Sequence, residues 1–198
     1  MEVGAGIGST TLLLNDGSAS QWLLLEPDEK MNAQLKAGIE SKKFPDNCFL
    51  QTGTIDKVIS TFDTIIYIDV LEHINDDAEE MGKAASRLNT GGSIIALSPA
   101  FTFLFSPFDK AIGHCRRYNK KMLREITPAG MQVSSLRYYD TAGYFAALMN
   151  KLFLRQKYPT RKQVMFWDKW IVPVSKITDK IFFHCFGKSI IAVWKKKN

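Results

Sequence analysis

The stretch Glu2-Val3-Gly4-Ala5-Gly6-Ile7-Gly8 constrains this chain more than any other feature. Glycines spaced this way let a strand turn sharply into a helix and let backbone approach a ligand closely. A dinucleotide-binding turn needs Gly-x-Gly-x-x-Gly. Here the pattern is Gly-x-Gly-x-Gly, and Ser9 stands where the last glycine of that fingerprint belongs. The departure favours another nucleoside ligand; the alternative is a plain tight turn. Glu26 ends the next apolar stretch, 22 residues after Gly4. An acid there can accept hydrogen bonds from both ribose hydroxyls, although strand ends also carry solvated acids for no such reason.

Around that loop the first half alternates strand-like and helix-like segments. Strands are expected at 1–3, 22–25, 48–52, 63–68 and 93–97, the last two rich in β-branched residues as buried strands should be. Helices are expected over 28–39, where Met31, Leu35 and Ile39 share one face, and over 75–88, which opens with acids and stops at Gly91-Gly92. Such alternation implies βαβ units and a parallel sheet. The second half is different in character. Residues 101–118 are aromatic and irregular, with Pro99 and Pro107 as breakers. Asn119 caps a short helix to about Ile126, ended by Pro128. A strand over 131–139, a helix over 142–154, a mostly helical 164–186 interrupted by Pro173 and a last strand over 190–194 complete the expectation.

A chain of 198 residues suits one compact α/β domain. Its 45% hydrophobic and 23% charged residues argue against disorder or low complexity. No apolar run reaches the roughly 18 residues a membrane helix needs, and the acidic, glycine-rich opening is not a signal peptide. Cys48, Cys115 and Cys185 are odd in number and widely spaced, against a disulfide framework or a zinc site; a reducing cytoplasm fits. The net charge of +6 hides an asymmetry. Residues 1–109 hold 7 Lys and Arg against 16 Asp and Glu, while residues 110–198 hold 19 against 4. A basic half suggests an anionic small molecule, lipid surface or nucleic acid, or only a solubilising surface.

The fourth expected strand runs into Ile68-Asp69-Val70-Leu71-Glu72-His73-Ile74. Glycine loop, acid, and strand followed by Asp-Val-Leu-Glu-His make an order that resembles the class I S-adenosylmethionine-dependent methyltransferases over residues 1–100. Phe105-Ser106-Pro107-Phe108-Asp109-Lys110-Ala111-Ile112-Gly113-His114-Cys115-Arg116-Arg117-Tyr118 is similar to a bacterial small-molecule group, the type 11/12 methyltransferases. The resemblance implies an α/β, Rossmann-like seven-stranded sheet, mostly parallel with an antiparallel last strand and helices on both faces. It implies that Glu2, Gly4, Ala5, Gly6 and Gly8 flank the methionine moiety of the cofactor S-adenosylmethionine. Glu26 and Pro27 would lie at the ribose, Gly53, Thr54 and Ile55 near the adenine, and Asp69 and Val70 by the amino or sulfonium end. Many members place an acid after strand three; here that stretch offers a hydroxyl and backbone, with Asp56 two residues beyond Thr54. Members also carry N-terminal helices before the first strand. The expectation is therefore one domain over 1–198 without that cap, with 100–130 and 142–186 on the acceptor side.

Methyl transfer from a sulfonium is an in-line displacement from a good leaving group, so alignment and water exclusion dominate. An oxygen or nitrogen acceptor adds a need for a general base. His73 and His114 are the candidates, each with a bland alternative as a surface or packed loop histidine. Arg116, Arg117 and Tyr118 would clamp an anionic acceptor, or merely order the insert by pairing with acids of the first half. The chemistry requires no metal, and the sequence holds no tight ligand spacing such as His-x-x-x-His, so none is expected. Phe166, Trp167, Trp170, Phe182, Phe183 and Phe186, among Lys169, Lys176 and Lys180, either pack on the sheet or form an apolar lid for a lipid-like acceptor, with peripheral membrane contact. Rival readings are a cofactor-binding module without turnover, and a nucleic-acid methyltransferase prompted by the basic half. Against the latter, Asp69-Val70-Leu71-Glu72 stands where an Asn/Asp-Pro-Pro-Tyr-like motif would be. A dehydrogenase fits worst, because of Ser9.

Overall fold

Seven strands form one sheet through the middle of the chain. The computed structural model describes residues 1–149, 151 and 160–197. The strands are β1 (Glu2–Val3), β2 (Trp22–Glu26), β3 (Cys48–Thr52), β4 (Phe62–Ile68), β5 (Leu88–Pro99), β6 (Met131–Tyr139) and β7 (Ser189–Lys196), in the spatial order β3-β2-β1-β4-β5-β7-β6. The first five pair in parallel, and β7 runs antiparallel to both β5 and β6. The expected seven-stranded sheet with an antiparallel last strand is therefore present.

Parallel neighbours need crossovers, which α1 (Ser9–Leu14), α2 (Glu29–Glu40) and α3 (Asp77–Ser86) supply. Asp28 starts α2 by accepting the Lys30 and Met31 N–H groups, and Asp76 starts α3 by accepting that of Glu79. The helices cover both faces of the sheet. Leu24 packs with Leu35 of α2 and with Phe44, whereas its neighbour Leu25 joins Met81 and Ala84 of α3 in a separate, larger core. Consecutive strand residues point to opposite faces, so one dipeptide serves both cores.

Three expectations are corrected. Helix α3 ends at Ser86, not Leu88: Leu88 already pairs with Phe62, and β5 carries Gly91 and Gly92 through an irregular register. Pro107 does not break structure but begins α4 (Pro107–Ala111), where a missing N–H costs nothing; Asp109 reaches back to the Ser106 N–H and hydroxyl. Pro173 does not interrupt helix either. Helices α7 (Arg161–Phe166) and α8 (Val172–Ile181) are joined by a π turn over Trp167–Ile171, and that widened turn makes room for the proline ring against the preceding carbonyls. Asn119 caps α5 (Lys120–Glu125) as expected. Helix α6 spans Thr141–Met149; apart from Lys151, the rest of the helix expected to 154 lies outside the described residues. Among the described residues no helix is long and apolar enough to cross a membrane.

Candidate functional site

The chain leaves β1 for β2 on one side of the sheet, while β4 lies on the other side of β1. In open α/β sheets that reversal creates a crevice at the carboxyl ends of the strands. The glycine loop follows β1 there, with Gly4, Gly6 and Gly8 all left-handed at φ 67, 58 and 81°. Each answers a different need. A Cβ on Gly4 would stand 2.6 Å from Val70 Cγ2, and one on Gly8 would stand 2.4 Å from the Phe44 ring. Among the described residues a Cβ on Gly6 would meet nothing within 4 Å, so Gly6 faces open space there. Ala5 between them is buried.

Glu26 is tied to this loop. Its Oε2 accepts the Gly6 N–H at 2.7 Å and its Oε1 accepts the Asp28 N–H at 2.9 Å, although the residue is only 5% exposed. Pro27 next to it is exposed. Beside it, after β3, the Gly53 N–H donates to the Glu26 carbonyl at 3.0 Å. Thr54 is exposed and its hydroxyl donates to Asp56, while Ile55 is buried beneath. Asp69 ends β4 in left-handed backbone at φ 53°, and Val70 lies against Gly4. Asp69 is exposed as a residue, yet surrounding protein strips enough water from its carboxyl to push its pKa up. Glycine loop, Glu26-Pro27, Gly53-Thr54 and Asp69-Val70 thus follow the ends of four adjacent strands. Glu2 is placed differently. Its Oε2 accepts Thr11 Oγ1 at 2.5 Å and Trp22 Nε1 at 3.1 Å, so it braces α1 against β2 underneath the loop. Burial raises its pKa.

The insert after β5 folds back over the end of β4, where the Cys115 N–H donates to the Glu72 carbonyl at 2.7 Å. This brings His73 and His114 together edge to face, ring centroids 4.7 Å apart. His114 Nδ1 lies 2.9 Å from Asp109 Oδ1, and the same oxygen accepts Arg117 Nε at 2.8 Å. A carboxylate that holds one imidazole nitrogen leaves the other oriented for proton or ligand chemistry. His73 Nδ1 lies 3.2 Å from the Gly113 carbonyl. Burial and the neighbouring His114 lower the His73 pKa. Glu72 is fully buried beside them; its Oε1 is 3.8 Å from His114 Nε2, and burial pushes its pKa up to about 7. Glu72, His73 and His114, which no sequence spacing brings together, offer ligand atoms all within 4.8 Å of one another.

The expected clamp of Arg116, Arg117 and Tyr118 is spent inside the protein. Arg116 pairs with Asp77 at 2.6 Å and donates to the Asn75 carbonyl; Tyr118 Oη also donates to Asp77, at 2.6 Å. Arg117 is taken by Asp109 and the Ala100 carbonyl. These residues order the insert against acids of the first half, the second of the two readings.

Three side chains here escaped sequence reasoning. Glu72 and Asp109 stood in quoted motifs, but only the folded insert shows that they face the histidines. Lys188 was one basic residue among many; its ammonium lies 4.3 Å from the Trp167 ring centre, and burial lowers its pKa. Beyond β5, Phe101 stacks on Tyr138 at 4.6 Å, and Tyr144, Phe145 and Phe182 gather around Phe186. So Phe182 and Phe186 pack, whereas Phe166, Trp170 and Phe183 stand 57%, 55% and 84% exposed.

Sheet order, the glycine loop at the switch point and the acid at the end of β2 define a Rossmann-like methyltransferase fold. Residues 1–94 match a family model described as a methyltransferase domain, of type 12. Among solved structures the chain is similar to a Galdieria sulphuraria protein named as a candidate sarcosine dimethylglycine methyltransferase, with 14% identity, 99% of this chain and 77% of that one covered, and a TM-score of 0.66. It is similar to the [4+2]-cyclase SpnF at 12% identity, covering 99% and 73%, TM-score 0.65. It is similar to magnesium protoporphyrin IX methyltransferase from Synechocystis, solved with bound S-adenosylhomocysteine, at 15% identity, covering 99% and 72%, TM-score 0.60. A search of curated protein sequences finds no match. Residues 1–94 thus match a type 12 methyltransferase domain, and the solved structures, at 15% identity or below, share the Rossmann-like methyltransferase fold of this chain.

Proposed function

We propose that this chain, as one domain over residues 1–198, moves a methyl group from S-adenosylmethionine to an oxygen or nitrogen atom of a small acceptor. The cofactor is S-adenosylmethionine. The observation that carries the reading is the Gly6–Glu26 hydrogen bond across the switch point, beside the open side of Gly6. Glu26 accepts the ribose hydroxyls with the lone pairs its two backbone donors leave free, beside Pro27. The methionine moiety lies along Gly4, Ala5, Gly6 and Gly8, with Glu2 bracing the loop from below. The adenine lies by Gly53, Thr54 and Ile55, and Asp69 with Val70 meets the amino and sulfonium end. An acceptor lone pair attacks the methyl carbon in line, and the carbon–sulfur pair returns to sulfur, giving S-adenosylhomocysteine. The acceptor proton passes to the His73–His114 pair, where Asp109 holds His114.

An apolar, lipid-like acceptor fits better than one chosen by a basic clamp. Arg116 and Arg117 are committed elsewhere, while aromatic rings of Phe101, Phe103 and Tyr144 gather beyond β5. The exposed Phe166 and Trp170, among Lys162, Lys169 and Lys176, support acceptor delivery at a lipid surface. The test is a product search with methyl-labelled cofactor and host extract, alongside calorimetry. The expected result is binding of both adenosyl ligands and label in an organic-soluble small molecule. Binding without label in any fraction returns the non-catalytic reading, and label in nucleic acid returns the other rival. Binding of a nicotinamide cofactor with no response to adenosyl ligands overturns the reading altogether.

A further inference from the structure

Glu72 and His73 follow β4, and His114 comes from the insert after α4. Among the described residues neither Glu72 oxygen, nor the hydroxyl of Ser98 on β5, has a hydrogen bond of ordinary geometry, and the buried carboxylate has only the nearby Ser98 hydroxyl and backbone to favour its charge. A buried carboxylate left unpaired is costly, and native structures keep such a group where something else satisfies it. The two imidazoles beside it are prepared alike. The carbonyl of Gly113 and the carboxylate of Asp109 can only accept, so Nδ1 of each histidine is the donor and Nε2 is the nitrogen left for a ligand. A histidine whose second nitrogen donates to a carboxylate or backbone carbonyl is the arrangement that orients metal-ligating imidazoles. Asp109 is itself fixed by Arg117 and Ser106, so the support extends one shell further.

We propose that Glu72, His73 and His114 bind one divalent first-row transition-metal ion. Their ligand atoms already lie within 4.8 Å of one another, with Glu72 Oε1 and His114 Nε2 at 3.8 Å. Bond lengths of about 2.0–2.2 Å to a shared ion require only a small inward movement. Two imidazoles with one carboxylate favour manganese, cobalt or zinc over magnesium or calcium, which prefer all-oxygen sites. His73 is exposed, so the remaining coordination positions open toward solvent and the crevice. Binding does not depend on the methyl-transfer reading; its use does. There a bound ion would take the place of the histidine pair as proton acceptor: it would lower the pKa of an acceptor hydroxyl, whose proton would leave to water, because both imidazoles would then be ligands.

The test uses the full chain, stripped with chelator and dialysed, titrated calorimetrically with manganese, cobalt, zinc and magnesium chlorides. We expect one ion per chain for the first three and at least 10-fold weaker magnesium binding. His73→Gln and Glu72→Gln should each weaken binding by 100-fold or more, and Asp109→Asn by about 10–100-fold, the usual effect of losing a partner behind a ligand. His184→Gln, outside the cluster, should leave binding unchanged. His73 is exposed, so its variant keeps the fold, which circular dichroism checks. No stoichiometric binding of manganese, cobalt or zinc, or full binding by folded His73→Gln and Glu72→Gln, overturns the site. Parallel titration with S-adenosylmethionine separates this outcome from failure of the methyltransferase reading.

Discussion

The Gly6 N–H donates to Glu26 Oε2 at 2.7 Å, which ties the glycine loop after β1 to the acid that ends β2. Glu26 therefore has two tasks, fixing the loop and meeting the ribose. Glu26→Ala should weaken S-adenosylmethionine and S-adenosylhomocysteine alike, because they share the ribose, by about 1–3 kcal/mol. Calorimetry of both ligands reads this directly. Unchanged affinity for either removes the ribose role.

The glycines of the loop should separate by function. Gly8→Ala puts a Cβ 2.4 Å from Phe44 and 2.9 Å from Leu35, in left-handed backbone. Strain of about 1–2 kcal/mol is then joined by overpacking of about 1–3 kcal/mol. Gly6→Ala carries the strain alone, since its Cβ meets nothing, but places a methyl where the cofactor lies. Thermal unfolding should therefore mark Gly8→Ala as the less stable variant, and cofactor titration should mark Gly6→Ala as the weaker binder for its stability. The reverse ranking would place the cofactor elsewhere.

These assignments show what the sequence could and could not carry. The strands were legible because a sheet buried on both faces demands continuous apolar runs such as Thr64–Ile68, and the helix starts because Asp28, Asp76 and Asn119 cap by local bonds. The end of α3 was not, since Leu88 is held by Phe62 of a distant strand. Pro173 misled because its accommodation depends on a π turn, which has no sequence signal. The cofactor side of the crevice follows strand ends in chain order and could be read. The His73–His114 side depends on an insert folding back about 40 residues, so Asp109 and Glu72 became visible only in space.

Arg117 and Asp109 form a buried pair, 8% and 0% exposed at the side chains, at 2.8 Å. Removing one partner strands the other charge. Arg117→Ala should cost about 3–5 kcal/mol in urea unfolding. Arg116→Ala should cost about 1 kcal/mol, because its pair with Asp77 is 25% exposed on the arginine side and Tyr118 still donates to that carboxylate. Equal losses, or an Arg117 variant as stable as the parent, would mean the insert is held by other contacts.

Tyr67 Oη donates to Glu80 Oε1 at 2.9 Å, joining β4 to α3. The tyrosine is fully buried and the glutamate half-buried, and desolvation holds the Glu80 pKa above its ordinary value of 4.5. The folded state thus keeps a proton that the unfolded chain has already released. This group's contribution to stability is complete below pH 4.5 and is lost as pH rises from there through the folded pKa. Glu80→Gln keeps an oxygen for Tyr67 and has no charge to desolvate. Relative to the parent, its unfolding free energy should therefore rise between pH 4.5 and pH 8. Tyr67→Phe should cost about 1–3 kcal/mol at pH 7, where the carboxylate loses its buried donor, and less at pH 4.5. Urea unfolding of both variants at the two ends of that range decides the matter. A Glu80→Gln difference that is flat or falls with pH would show that the Tyr67 hydrogen bond offsets or outweighs the desolvation of this carboxylate.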